Sequence, residues 1–159
     1  MHSRYVEGIL IRPLRDGDTD TVLAMFERLG TESRRRRFGG AKTQLTQPEL
    51  ALLARVDAER HVLVAYVDGD PRPAGLARLV RDGDAAEVAF EIADERHGRG
   101  IGTSLAEALA ADARAAGIRE LHATVAGDNP PAMSLLARTS RRLRAAWLGG
   151  ERRIVAALE

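Results

Sequence analysis

The chain of 159 residues contains no cysteine, which excludes disulfides, thiolate catalysis and every zinc site that needs sulfur. It also lacks any apolar run approaching the roughly 18 residues of a membrane span, so the sequence predicts a soluble, cytoplasmic protein with no membrane partner. Lysine is almost missing: Lys42 is the only one, and the other 23 basic residues are arginine. The four histidines, at 2, 61, 97 and 122, show no ligand spacing, and no metal is expected. A net charge of +1 gives no overall field that demands nucleic acid. The basic run Arg34 to Arg37 therefore reads as a solvated helix end, or as a rim attracting an acidic partner or a ligand's phosphates.

What is present suits one compact domain over residues 1–159, with 45% hydrophobic residues to fill a core. Ile9-Leu10-Ile11 reads as a first strand. Asp16-Gly17-Asp18 then offers turn and cap chemistry before Val22, Met25, Phe26 and Leu29, which share one helical face ending at Gly30. Thr46-Gln47-Pro48-Glu49 is a capping box that opens a second helix carrying Leu50, Leu53 and Val56. The stretch from Thr31 to Gln44 has no clean period and reads as a substrate-side loop.

Three strands follow, His61 to Val67, Ala74 to Arg81 and Ala85 to Ala93, separated by Asp-Gly turns. A Gly-rich loop, a long helix from about Gly100 to Ala116 and a strand from Glu120 to Val125 come next. A helix started by Asp128-Asn129-Pro130-Pro131 runs towards Thr139, and Leu143 to Leu148 with Arg152 to Leu158 read as a closing hairpin. The expected fold is α/β (α+β): a mixed, mostly antiparallel sheet of about seven strands with about four helices, and one crossover joining a parallel pair. An exposed sheet edge or the closing hairpin could support a homodimer.

The chemistry concentrates where Gly98, Gly100 and Gly102 hand a strand over to the long helix. Free amides of a first helical turn, the positive end of the helix dipole and the hydroxyls of Thr103 and Ser104 suit a pyrophosphate. A nucleotide P-loop is excluded because it needs a lysine after its glycines and the only lysine is at 42. A dinucleotide fingerprint fails because Thr103 stands where a third glycine belongs. A tight turn holding no ligand is the remaining alternative on the glycines alone.

The segment His97-Gly98-Arg99-Gly100-Ile101-Gly102 resembles the coenzyme A loop of the GNAT family of N-acetyltransferases, [QR]-x-x-G-x-[GA], with His97 in the first position. The element order resembles that family over essentially the whole chain. Ala86-Glu87-Val88-Ala89-Phe90 is similar to the segment of protein-lysine acetyltransferases whose glutamate is the general base, and the chain looks most like bacterial enzymes that modify acyl-CoA synthetases. Some of those relatives carry a regulatory nucleotide-binding domain, for which these 159 residues have no room.

The resemblance implies acetyl-CoA as co-substrate, bound by Ile92, Ala93, His97, Gly98, Arg99, Gly100, Ile101, Gly102, Thr103, Ser104 and Asn129. It implies Glu87 as general base, with Glu91 as the rival, and an opening of the crossover strands after Glu91. The expected reaction moves acetyl to a protein lysine, with a small-molecule amine acetyltransferase or a non-catalytic acyl-CoA sensor as alternatives. A base is needed because a lysine of pKa near 10.4 must lose a proton at pH 7, at a cost of about 4.6 kcal/mol. Strand alternation puts Glu87, Ala89 and Glu91 on one face, away from Val88, Phe90 and Ile92; a bulge would change which carboxylate faces the thioester.

Asn129 has a second reading as a helix cap. The family's general-acid tyrosine is replaced by Leu136, which leaves a water or Ser134 to protonate the thiolate. His61 and His122 read as structural.

Overall fold

The computed structural model describes residues 3–30, 34–35, 44–93, 100–125, 136–148 and 151–158. Its strands are β1 (Arg4–Val6), β2 (Ile9–Pro13), β3 (Arg60–Val67), β4 (Gly75–Asp82), β5 (Ala85–Ile92), β6 (Glu120–Val125), β7 (Arg142–Leu148) and β8 (Glu151–Ala157). They form one sheet in the order β1-β2-β3-β4-β5-β6-β8-β7. Every pairing is antiparallel except that of β5 with β6. The helices are α1 (Thr19–Glu27), α2 (Gln47–Leu53) and α3 (Ile101–Ala115), and residues 136–139 are helical.

The sheet has eight strands where the sequence suggested about seven. The extra strand is β1, three residues joined to β2 by the two-residue loop Glu7-Gly8. Both loop residues have positive φ, 50° and 83°, which is the twist a two-residue hairpin requires. Glutamate is an uncommon residue in that conformation, so the turn carries no Asn-Gly or Asp-Gly signature.

Local chemistry explains the other boundaries. Asp18 caps α1 by accepting from the Thr21 amide at 3.1 Å. In the Thr46 box, the Thr46 amide donates to Glu49 Oε1 at 2.9 Å and the Glu49 amide donates to Thr46 Oγ1 at 3.3 Å. The Asp57 carboxylate accepts from the amides of Glu59 and Arg60, both at 2.9 Å, at the entry to β3. The Glu59 amide is the main reason its carboxyl sits below the usual range. Helix α3 stops at Gly117, φ 82°, where Ile118 N–H bonds back to the Ala113 carbonyl at 2.9 Å and satisfies one of the orphan carbonyls.

Two apolar clusters sit on opposite faces of the sheet. One packs α3 (Ile101, Leu105, Ala108, Leu109) on Leu63, Ala65, Ala77, Leu79, Ala86 and Val88. The other packs α1 and α2 (Val22, Met25, Leu50) on Val62, Val64 and Leu76. Asp112 continues the buried stripe of α3 as its one charged member, where it pairs with Arg4 and lies 2.8 Å from His61 Nε2. His61 thereby helps hold α3 to the sheet.

Candidate functional site

The ladder between β5 and β6 has three pairs, Ala85↔Glu120, Ala86↔Leu121 and Glu87↔His122. Beyond them β5 continues to Ile92 and β6 to Val125 without further pairing to each other. The sheet therefore opens after Glu87, four residues before the opening expected after Glu91. The resulting wedge is about 17 Å deep along β5, five residues at 3.3–3.4 Å each.

At the wide end of the wedge stands the start of α3. Gly75 on β4 is the register partner of Ile92, and it is a glycine because a Cβ there would come within 2.8 Å of Ile101 Cγ2 and 2.9 Å of Leu105 Cδ1. This close approach fixes the first turn of α3 against the sheet. Gly100 precedes that turn with φ 80° and ψ 2°; among the described residues no side chain caps the helix, and its first turn holds no acidic residue. The leading amides of α3, at Ile101, Gly102 and Thr103, thus remain for an anion, in the positive field of the helix end.

The structure places the sequence-based site residues unevenly. Gly100, Ile101, Gly102, Thr103 and Ser104 come together at the head of α3, although the Ile101 side chain is fully buried and leaves only its main chain for a ligand. Ile92 lies at the wedge mouth. Ala93 is buried and donates its amide to the Ala74 carbonyl at 2.9 Å, so its carbonyl is what it can offer. His97, Gly98, Arg99, Asn129 and Ser134 lie outside the described residues, as does most of the stretch from Thr31 to Gln44.

Glu87 and Glu91 share the sheet face that carries α1 and α2, with Val88 in the opposite core, and β5 runs unbroken from Ala85 to Ile92 with no bulge. Their surroundings differ. Glu87 stands at the closed end of the wedge with 57% of its side chain exposed, its Oε1 3.0 Å from Arg153 Nη1 on β8. Glu91, expected to be solvated if not catalytic, is only 5% exposed and sits opposite Leu76. Sequence reasoning missed Gly75, which reads as an ordinary strand start. It also missed Arg153, whose Nε is buried without a hydrogen-bond partner among the described residues. Leu136, in the place of the family's tyrosine, is fully buried in the α3-side core.

A sheet pried open at its single parallel pair, with an uncapped helix at the mouth, defines a scaffold for gripping a pyrophosphate and laying its linear arm between two strands, as GNAT acetyltransferases do with coenzyme A. The sequence profile of the acetyltransferase (GNAT) family matches residues 24–140, and the chain belongs to that family. Acetyltransferase Pat of Mycolicibacterium smegmatis is 32% identical over 149 residues, 91% of this chain and 43% of its own. The crystal structure of the GNAT domain of S. lividans PAT superposes with a TM-score of 0.83 at 26% identity, covering 94% of this chain and 90% of that one. A cAMP-binding acyltransferase from Mycobacterium smegmatis superposes at 0.62 with 28% identity, covering 100% of this chain and 46% of that one. The chain thus spans less than half the length of the two mycobacterial relatives.

Gly100 supplies one direct test. Its Cβ position meets nothing within 4 Å among the described residues but its φ is 80°, a conformation that costs an L-residue about 1–2 kcal/mol. Gly100→Val relieves that strain only by turning the neighbouring amides away. Calorimetry with coenzyme A is expected to show at least about tenfold weaker binding, with the fold retained by circular dichroism.

Proposed function

We propose that this chain transfers the acetyl group of acetyl-CoA to the side-chain amine of a protein lysine by direct attack, with Glu87 as general base and Glu91 as the rival for that role. The observation that carries the reading is the wedge that runs from the uncapped head of α3 to the Glu87↔His122 pair. It would hold the pyrophosphate at the helix and the thioester near Glu87. The main-chain groups of β5 inside the wedge would face the carbonyl oxygen as it becomes an oxyanion.

The attack balances simply. Glu87 removes one proton from the ammonium, and the free amine forms the C–N bond as the C–S bond breaks. The thiolate takes the nitrogen's second proton and leaves as coenzyme A. A lysine on a protein surface suits the acceptor side, because among the described residues the α1/α2 cluster includes none of β6, β7 or β8. That half of the face offers a broad strip of Glu87, Glu120, His122, Arg144 and Arg153. The names of the relatives Pat and PAT support a protein acceptor. An acyl-CoA synthetase is the partner to try first, in the cytoplasm where both substrates are made.

The test is a panel of acceptors with acetyl-CoA: an acyl-CoA synthetase, lysine peptides, polyamines and aminoglycosides. Transfer to the synthetase or the peptides is the expected result. Transfer confined to small amines would replace the reading by a small-molecule acetyltransferase, and coenzyme A binding with no turnover on any amine by a sensor.

A further inference from the structure

His122 lies across the parallel ladder from Glu87, in the last pair before the strands separate. Register partners project from the same face of strands about 4.8 Å apart. Around the imidazole, Nε2 is 3.2 Å from Glu120 Oε1 on its own strand, and Glu120 Oε2 in turn is 3.7 Å from Arg144 Nη2 on β7. On β8 the register partner of His122 is Val155, an apolar neighbour, while Arg153 two residues away holds Glu87. A carboxylate only accepts, so Nε2 carries the proton of the neutral ring and Nδ1 keeps the lone pair. The ring is 19% exposed, enough to exchange a proton with water.

We propose that His122, oriented by Glu120, is the relay through which the proton taken by Glu87 leaves the site. This rests on the reading of Glu87 as the base. The amine gives its first proton to the Glu87 carboxylate, which passes it to Nδ1 of His122. The imidazolium, held by the Glu120 carboxylate and across the ladder from Glu87, releases it to solvent, while the second amine proton goes to the departing thiolate as before. One proton is released per turnover. The relay has a clear chemical advantage: between reference side chains, moving a proton from lysine to a carboxylate is unfavourable by about 10⁶, and to an imidazole by about 10⁴, so the ring relieves about 100-fold. It also supplies an exit once a docked protein covers the exposed Glu87.

The relay is tested by kcat/KM for a lysine peptide across pH. His122→Gln is expected to lower it about 30-fold at pH 7 but less than about 3-fold at pH 9.5, because the free-amine fraction rises tenfold per pH unit; the Kd for coenzyme A stays unchanged. Glu120→Gln is expected to give a smaller loss, about 5-fold, with the same pH trend. An unchanged rate in His122→Gln, or a loss equal at both pH values, overturns the relay.

A second measurement is independent of how well His122→Gln folds. The ring nitrogens of His122, followed by NMR at one pH in the wild type and in Glu87→Gln, must differ in chemical shift, and identical spectra overturn the relay. If Glu87→Gln keeps full activity, the reading of Glu87 falls and the relay with it; if only the His122 results fail, Glu87 stands as a base that empties directly into water.

Discussion

Glu87→Gln is expected to lower kcat about 10²- to 10⁴-fold at pH 7, the usual range for losing a general base, while coenzyme A binds as tightly as before. Glutamine keeps the size of the side chain and an oxygen that still accepts from Arg153. Glu87 is 57% exposed and Arg153 26%, and an ion pair open to solvent on one side contributes about 1 kcal/mol or less, so the thermal midpoint should move little. Turnover should recover as pH approaches the pKa of the acceptor amine, where lysine deprotonates itself. Steady-state kinetics from pH 7 to 10 check both parts. Glu91→Gln is the necessary companion: the two carboxylates are four residues apart on one strand, about 13 Å, too far for both to meet one amine. Collapse in Glu91→Gln with Glu87→Gln unaffected would move the base to the mouth of the wedge.

Much of this architecture was legible because it is written in local chemistry. The box at Thr46 and Glu49, the cap at Asp18 and the loop of Gly83 and Asp84 between β4 and β5 are each decided within a few residues. The alternation of β5 placed Glu87 and Glu91 on one face without any structure. Strand β1 was missed because its turn holds a glutamate at positive φ, against the usual preference of that conformation.

The site was less legible, because its parts meet through register. The pairing of Glu87 with His122 depends on how α3 returns the chain to the sheet, and the hold of Arg153 on Glu87 depends on β8 crossing to β6 from the far end of the sequence. An offset of one residue would send every one of these side chains to the other face. Asp112 did leave a signal, a carboxylate at the next position of an otherwise apolar helical stripe, where a buried charge requires partners.

Gly75→Val should be the most damaging change outside the reacting groups. An added Cβ meets Ile101, Leu105 and Ile92 at once, the last at 3.1 Å, and valine adds two methyl groups to that collision. Ile101 and Leu105 belong to the packed core and Ile92 packs against it, so the contact is relieved by forcing these side chains out of place and with them the first turn of α3 from β4. Overpacking of this kind typically costs about 1–3 kcal/mol of stability. The functional loss is expected to be larger, because displacing a positioning element by about 1 Å can reduce turnover about 10²-fold, and here the displaced element carries the amides meant for the pyrophosphate. The expected result is a folded protein with a lowered thermal midpoint, coenzyme A affinity down by about two orders of magnitude, and Gly75→Ala intermediate in both. Affinity preserved in a folded Gly75→Val would show that the head of α3 does not hold the cofactor's pyrophosphate, and the wedge would lose its claim to be the site.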